Sequence, residues 1–339
     1  MSESVERGPE GGRSGDDAAT RGPEPTGEMA APSGPPPLWL RVLRHPLSRL
    51  SLATVALVGS LMVTTLLVSS FASGAARRTP AGALLGIAAA HVAYLLYLRL
   101  VEGRRATELG IRGASTELAL GLLLGGGVLT ISVTVLWALG LYEVVGLRSW
   151  SNLAIPLGMA MWAGYFEELL FRGVLQRIVD EWLGSWWALV LSSAAFGFAH
   201  HSNPNADLWS STAITLEAGL MLGAAFLLTR RLWLAIGLHA GWNFTQSGLL
   251  GAAVSGHDIE GLVEARFTGP AILTGGDFGL ETSVITVSLA ITLGLVLLVM
   301  AHRRGHVVSW RQRRNERRDE RRAARRAVEA PRRGEDEPQ

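Results

Sequence analysis

The sequence predicts an all-α protein, a polytopic transmembrane helical bundle of about eight spans around a polar intramembrane cavity. Three observations carry this expectation. Of 339 residues, 48% are hydrophobic and only 18% are charged, where a soluble chain carries nearer a quarter charged. The apolar residues are gathered into long blocks almost free of charge, separated by short polar punctuation. The few ionisable residues inside those blocks recur at helical spacing.

Taken in order, residues 1–37 are rich in Gly, Pro, Ser and acids and end in Pro35-Pro36-Pro37. Such a stretch cannot bury enough apolar surface to offset its ordering entropy, so it reads as a disordered cytoplasmic tail. The first apolar run begins only near Leu50 and reads as a retained anchor, not a signal peptide. Spans are expected at 50–73, 80–101, 116–140, 152–175, 186–201, 210–229, 232–250 and 281–302. The fifth is short for a ~30 Å hydrocarbon core at ~1.5 Å per residue, so it is expected to lie among other helices or to run obliquely. The bundle should fill 38–302, with the site-bearing core at about 150–250. The loop 251–280 holds Gly275-Gly276-Asp277-Phe278-Gly279 and is either a lid over the cavity or a solvated external loop. Residues 303–339 form an Arg-rich cytoplasmic tail. Within it, Arg311 to Arg326 interleaves Arg with acids at helical spacing. That pattern suits anionic headgroups or nucleic acid, or a solvated helix that only enforces topology.

Arginine sets the orientation. Arg41, Arg44 and Arg49 precede the first span, and Arg99, Arg104, Arg105 and Arg112 follow the second. Arg172 and Arg177 follow the fourth, and Arg230 and Arg231 the sixth. The opposite loops hold only Arg77, Arg78, Arg148 and Arg266, among many acids. The bias points to a multi-pass cell-membrane protein with both termini cytoplasmic. All 31 basic residues are Arg, the net charge is a modest +2, and there is no Cys. Disulfides, thiolate nucleophiles and Cys-ligated metals are therefore excluded, and any metal would need His and carboxylates.

Ionisable groups inside a bilayer cost at least ~2.5–3.5 kcal/mol each on insertion scales, so each needs a reason. Four places stand out: Glu167-Glu168-Leu169-Leu170-Phe171-Arg172, Phe196-Gly197-Phe198-Ala199-His200-His201, His239-Ala240-Gly241-Trp242-Asn243, and Glu217. Glu168 and Arg172 are four apart and can pair on one helix face. Glu167, rotated by about 100°, is left to face elsewhere. An unpaired acid kept from water has a raised proton affinity, which suits a general base. His239 and Asn243 are also four apart, so both can donate to one oxygen. Together these groups form a hydrolytic set: a carboxylate and an imidazole to polarise water, and a second imidazole and an amide to hold an oxyanion. No Ser or Cys nucleophile is needed. Gly-x-Ser-x-Gly and His-Glu-x-x-His are both absent, against serine-hydrolase and ordinary zinc-protease readings. Glu217 sits beside Gly219 and Gly223, a small-xxx-small packing face, and answers either a neighbouring polar group or the chemistry itself.

Glu-Glu-x-x-x-Arg, Phe-x-x-x-His and His-x-x-x-Asn, on successive spans, resemble the CPBP family of intramembrane proteases, also called the CAAX protease and bacteriocin-processing, or Abi, family. Here the motifs are Glu167, Glu168 and Arg172; Phe196 and His200; His239 and Asn243. The resemblance covers about residues 150–250. It implies a bundle with a cavity open to one side of the membrane and a peptide or protein substrate. It also implies catalytic roles for Glu167, His200, His239 and Asn243, with Glu168 and Arg172 supporting and Glu217 and His201 as further candidates. No cofactor is required by the sequence. Zinc on Glu167, His200 and His239 is the alternative, since the family has been described both as metalloproteases and as glutamate-dependent proteases. On the expected boundaries Glu167 lies nearer the cytoplasmic end of its span and His200 nearer the outer end of the next. Their contact therefore needs span five to begin deeper or to tilt.

The expected activity is intramembrane endopeptidase hydrolysis, CAAX-type, with the lipid bilayer and a peptide or protein substrate as partners and no nucleic acid. The rival is a non-catalytic membrane adaptor or bacteriocin-immunity protein on the same fold. A proton-relay transporter would call for pseudo-repeats between halves, and the sequence has none.

Overall fold

The structure is a computed structural model that describes residues 37–69, 74 and 78–329. The expected N-terminal tail up to Pro36, Arg77 and the end of the first span lie outside these residues.

After a short helix α1 (Leu38–Leu43) come α2 (Pro46–Ser69) and α3, which runs through Pro80–Glu102 and ends in a π turn. The helix α4 is Ala114–Ala138. The next rod, α5, continues unbroken over 154–183 as Ala154–Glu168, a π segment Leu169–Gln176 and Arg177–Leu183. Gly184 turns the chain at φ +87°, and α6 (Ser185–Ala199) runs back alongside. Then follow α7 (Leu208–Thr229), α8 over 233–249, α9 (Val284–Arg303) and the Arg-rich α10 (Trp310–Glu329).

Five of these helices, α2, α3, α4, α7 and α9, are long and apolar enough to cross a membrane. The other three expected spans are the ones with most of the site: α6 and α8 are short, and α5 is interrupted by charge. The molecule is thus an all-α, multi-pass integral membrane protein, and the count of eight spans stays an expectation. Burial grades the helices. The apolar window of α2 is 11% buried and that of α7 is 67% buried, so α7 is a central helix and α2 a lipid-facing one.

Close packing, not hydrophobic contrast, must hold such helices together in lipid. The α4–α8 pair shows how: a Cβ on Gly121 or Gly125 would run into the backbone of α8 at Leu234 or Leu238, and one on Gly237 or Gly241 into α4 at Leu118 or Leu122. Four glycines, two per helix, let the backbones touch. Two apolar clusters fill the bundle. One includes Leu129, Phe196, Met221 and Trp242, the other Tyr94, Phe166, Leu169 and Leu232. The polar site lies on their seam.

Two features were not foreseen. A two-stranded antiparallel sheet pairs β1 (Tyr142–Leu147) with β2 (Val263–Phe267), Tyr142 opposite Phe267. This ties much of the 251–280 segment to the end of α4. At the Arg-rich end, a network joins α2, α3 and α5: Arg177 reaches Glu102 at 2.9 Å and Glu181 at 2.9 Å, and Arg49 reaches Glu102 at 3.0 Å. Beside it Arg104 grips Glu108 at 2.7 Å. Burial alone would push the Glu108 carboxyl up, but hydrogen bonds from Arg104 and Tyr94 outweigh it and hold the group below the usual carboxylate range. The Arg-rich helix α10 is fastened nearby, with Arg313 3.6 Å from Asp180, which also holds Arg230 at 2.5 Å.

Candidate active site

Glu167 and Glu168 close the α-helical part of α5, where the rod widens into its π segment. Such π bulges often mark functional sites, because they re-aim side chains without breaking the helix. The two neighbouring acids point different ways. Glu168 is fully buried, and its Oε1 accepts from Arg172 Nη1 at 2.9 Å and His239 Nδ1 at 2.9 Å. Arg172, also fully buried, lies 4.4 Å over the Phe196 ring, with Nη2 on the carbonyl oxygens of Ala218 and Gly219 at 3.3 and 3.4 Å. A buried pair of this kind needs every remaining hydrogen bond it can find.

Glu167 turns to the cavity. Its Oε2 lies 3.8 Å from His200 Nε2 and 4.0 Å from His239 Nε2, and has no hydrogen-bond partner among the described residues although the atom is buried. Polar separations just beyond hydrogen-bond reach are those a single water spans.

Backbone and carboxylate partners make the two imidazoles unlike. His200 Nδ1 lies 2.8 Å from the carbonyl oxygen of Phe196. A carbonyl only accepts, so Nδ1 carries the proton and neutral His200 offers a bare Nε2 to the cavity. His239 Nδ1 faces the Glu168 carboxylate, so it too donates there. For Nε2 to donate as well, His239 must be the imidazolium, and its charge then sits between Glu168 and Glu167. Asn243, one turn on, projects from the same face of α8.

A cavity of about 430 Å³ meets all four groups, Glu167, His200, His239 and Asn243, and is walled on one side by Val254, Ser255 and His257. The 251–280 segment therefore covers the site, at least through its first part. A second cavity of about 390 Å³, largely apolar, shares Leu61, Met159 and Trp162 with the first. Glu168 and Arg172 lie behind the cavity wall. His201 turns to Ser211 Oγ at 3.0 Å and lines neither cavity. Glu217 is fully buried behind the site, in a small chamber of about 30 Å³.

The expected difficulty over height disappears. Gly184 stands nearly midway in the chain between Glu167 and His200, and helix fills both arms, so antiparallel α5 and α6 bring the two residues level. Sequence reading missed Ser255, His257 and Glu281, which come from the long polar loop. Their only signal was a His and an acid in a Gly-rich stretch, too common to act on. Among the described residues no three His, Asp or Glu side chains are gathered as a metal-holding group.

Residues 149–245 match the model of a family described as Type II CAAX prenyl endopeptidase Rce1-like. The matched segment runs from the start of α5 through Asn243 and is consistent with the CPBP, or CAAX protease, family. No curated protein and no solved structure matches the chain.

Proposed function

We propose that this chain, whose residues 149–245 are similar to type II CAAX prenyl endopeptidases, is an intramembrane endopeptidase that hydrolyses a peptide bond with side chains alone. The observation that carries the reading is Glu167 Oε2, a buried acceptor without a protein donor, set between two imidazole nitrogens at 3.8 and 4.0 Å on a cavity wall. A water between Glu167 and His200 donates one hydrogen to each. As its oxygen attacks the carbonyl carbon, Glu167 takes the proton, and the carbonyl π pair moves onto oxygen. His239 Nε2–H and the Asn243 amide donate to that oxyanion. On collapse the C–N bond breaks, and the proton held by Glu167 passes to the leaving amine. Arg172 and Glu168 hold His239 in its donor state.

The adjoining apolar cavity supports a substrate with a lipid chain, which would lie against Leu61, Met159 and Trp162 while the peptide bond sits at Glu167. The test uses the purified protein in nanodiscs and a fluorogenic peptide bearing a prenylated cysteine near its C-terminus. Cleavage that disappears in Glu167→Gln and persists in the parent is the expected result. A Gln variant with parental turnover would overturn the role of Glu167, and a parent that cleaves nothing would point to the adaptor reading instead.

A further inference from the structure

Behind the catalytic wall, Glu217 has no evident task. It lies in the π turn Thr215–Gly219 of the central helix α7, is fully buried, and neither carboxyl oxygen has a hydrogen-bond partner among the described residues. Glu281, facing the same chamber, is different. Gln246 Nε2 donates to it at 2.5 Å and the Ser255 backbone N–H at 2.8 Å, so it clamps the covering loop to α8. Glu217 is the unpartnered acid, and it faces a space of about 30 Å³. One water needs about 10–15 Å³ on this measure, so the chamber has room for one or two waters and little else.

Asn243 lines both this chamber and the substrate cavity, as do His200, His239 and Ser255. Its amide is asymmetric. To offer N–H to an oxyanion, it must turn its carbonyl oxygen the other way, and that oxygen then needs a donor. The reversed amide would present an acceptor to the oxyanion and oppose the reaction. Among the described residues Ser247 Oγ donates to the Asn243 backbone carbonyl at 2.9 Å, and no side chain donates to the amide Oδ1. The imidazole Nε2 atoms face Glu167.

We propose that the chamber is an ordered-water site built by Glu217. One water donates a hydrogen to the Glu217 carboxyl and its other hydrogen to Asn243 Oδ1, and so locks the amide N–H toward the oxyanion. Glu217 is a positioning residue, acting through Asn243. This rests on the hydrolase reading above, in which Asn243 is an oxyanion donor. An acceptor is all that is required of residue 217, so glutamine suffices and a side chain of similar size without an acceptor does not.

The experiment compares the parent with E217Q, E217M and E167Q in nanodiscs, reading kcat, KM and the thermal midpoint on the fluorogenic peptide. Removing one oxyanion donor costs about 10²–10³ in kcat. A free rather than absent amide should cost part of that, about ten- to a hundredfold. E217M is expected to fold with an unchanged or higher midpoint, keep its KM and lose that factor in kcat. E217Q is expected to recover activity to within about threefold of the parent. Parental kcat in E217M overturns the inference, as does an E217M that does not fold, which would make Glu217 structural. An E217Q as slow as E217M also overturns it, by pointing to proton transfer through the carboxyl. If E167Q turns over like the parent, the Glu167-based hydrolytic mechanism falls and takes the inference with it. An inert E167Q beside a fully active E217M removes the inference alone.

Discussion

His200 and His239 are the same residue type in one cavity, yet their Nδ1 atoms face unlike partners, and the proposed mechanism gives them opposite tasks. His200 Nδ1 faces a backbone carbonyl, whereas His239 Nδ1 faces a carboxylate that also accepts from Arg172. Replacing either His by Ala should lower kcat about 10²–10⁴-fold, the range for a lost acid–base group. Asn243→Ala should cost about 10²–10³ with little change in KM. Both are read as steady-state rates on the fluorogenic peptide. The proposed mechanism uses side chains alone, so it expects dialysis against a strong chelator to leave the rate unchanged, and a loss restored by zinc would sink it. Arg172 predicts a different signature. Truncating it to Ala leaves buried Glu168 without its cation and with His239 as its remaining partner, so the protein should lose about 3–5 kcal/mol in unfolding experiments. Lysine should rescue poorly, since the planar guanidinium both stacks on Phe196 and reaches two carbonyls.

Among the elements, the sequence showed the helices better than their lengths. Residues 176–183 looked like a loop because Arg177, Asp180 and Glu181 interrupt the apolar pattern. In the structure those charges are satisfied by Glu102, Arg230 and one another, and the helix runs through. The strand Tyr142–Leu147 escaped notice because its partner lies far along the chain and no local signal pairs them. The α4–α8 contact yields a sharp expectation. A side chain at Gly241 would meet the Leu122 backbone, so Gly241→Val must push apart the helix that carries His239 and Asn243. The cost should exceed the ~1–3 kcal/mol of ordinary overpacking. Lost activity should accompany the lower thermal midpoint, where a surface glycine such as Gly127 should tolerate Ala. Glu108 adds a pH dependence. Its folded carboxyl lies below the usual range, so its stabilising effect is complete above the unfolded value and is lost as pH falls through the folded one. Glu108→Gln should therefore lower the melting point at neutral pH and do less in acid.

For the whole molecule, the Arg bias predicts that the ends of α2, α3 and α5 that share the Arg49–Glu102–Arg177 network face the cytoplasm, together with α10. A fluorescent protein fused after residue 339 should glow, and alkaline phosphatase at the same point should stay inactive. The reverse outcome would invert the topology and open the catalytic cavity to the opposite compartment from the one expected. The tail helix α10 touches the bundle through Arg313 and Asp180. Arg311, Arg314, Arg318, Arg321, Arg322 and Arg326 are exposed and fit the solvated or headgroup-facing roles that its composition allows.

Composition and spacing alone determined that this chain lives in a bilayer, where its main helices fall, and which polar residues are out of place there. Those properties are local: hydrophobic blocks are contiguous, and a pair four residues apart shares a helix face wherever the helix goes. Tertiary structure alone decided that Glu167 meets two imidazoles, that a polar loop roofs the cavity, and that Glu217 and Asn243 line one chamber of water size. Such convergence depends on two helix arms being equal in length about Gly184 and on glycines letting backbones touch, and no single segment contains that information.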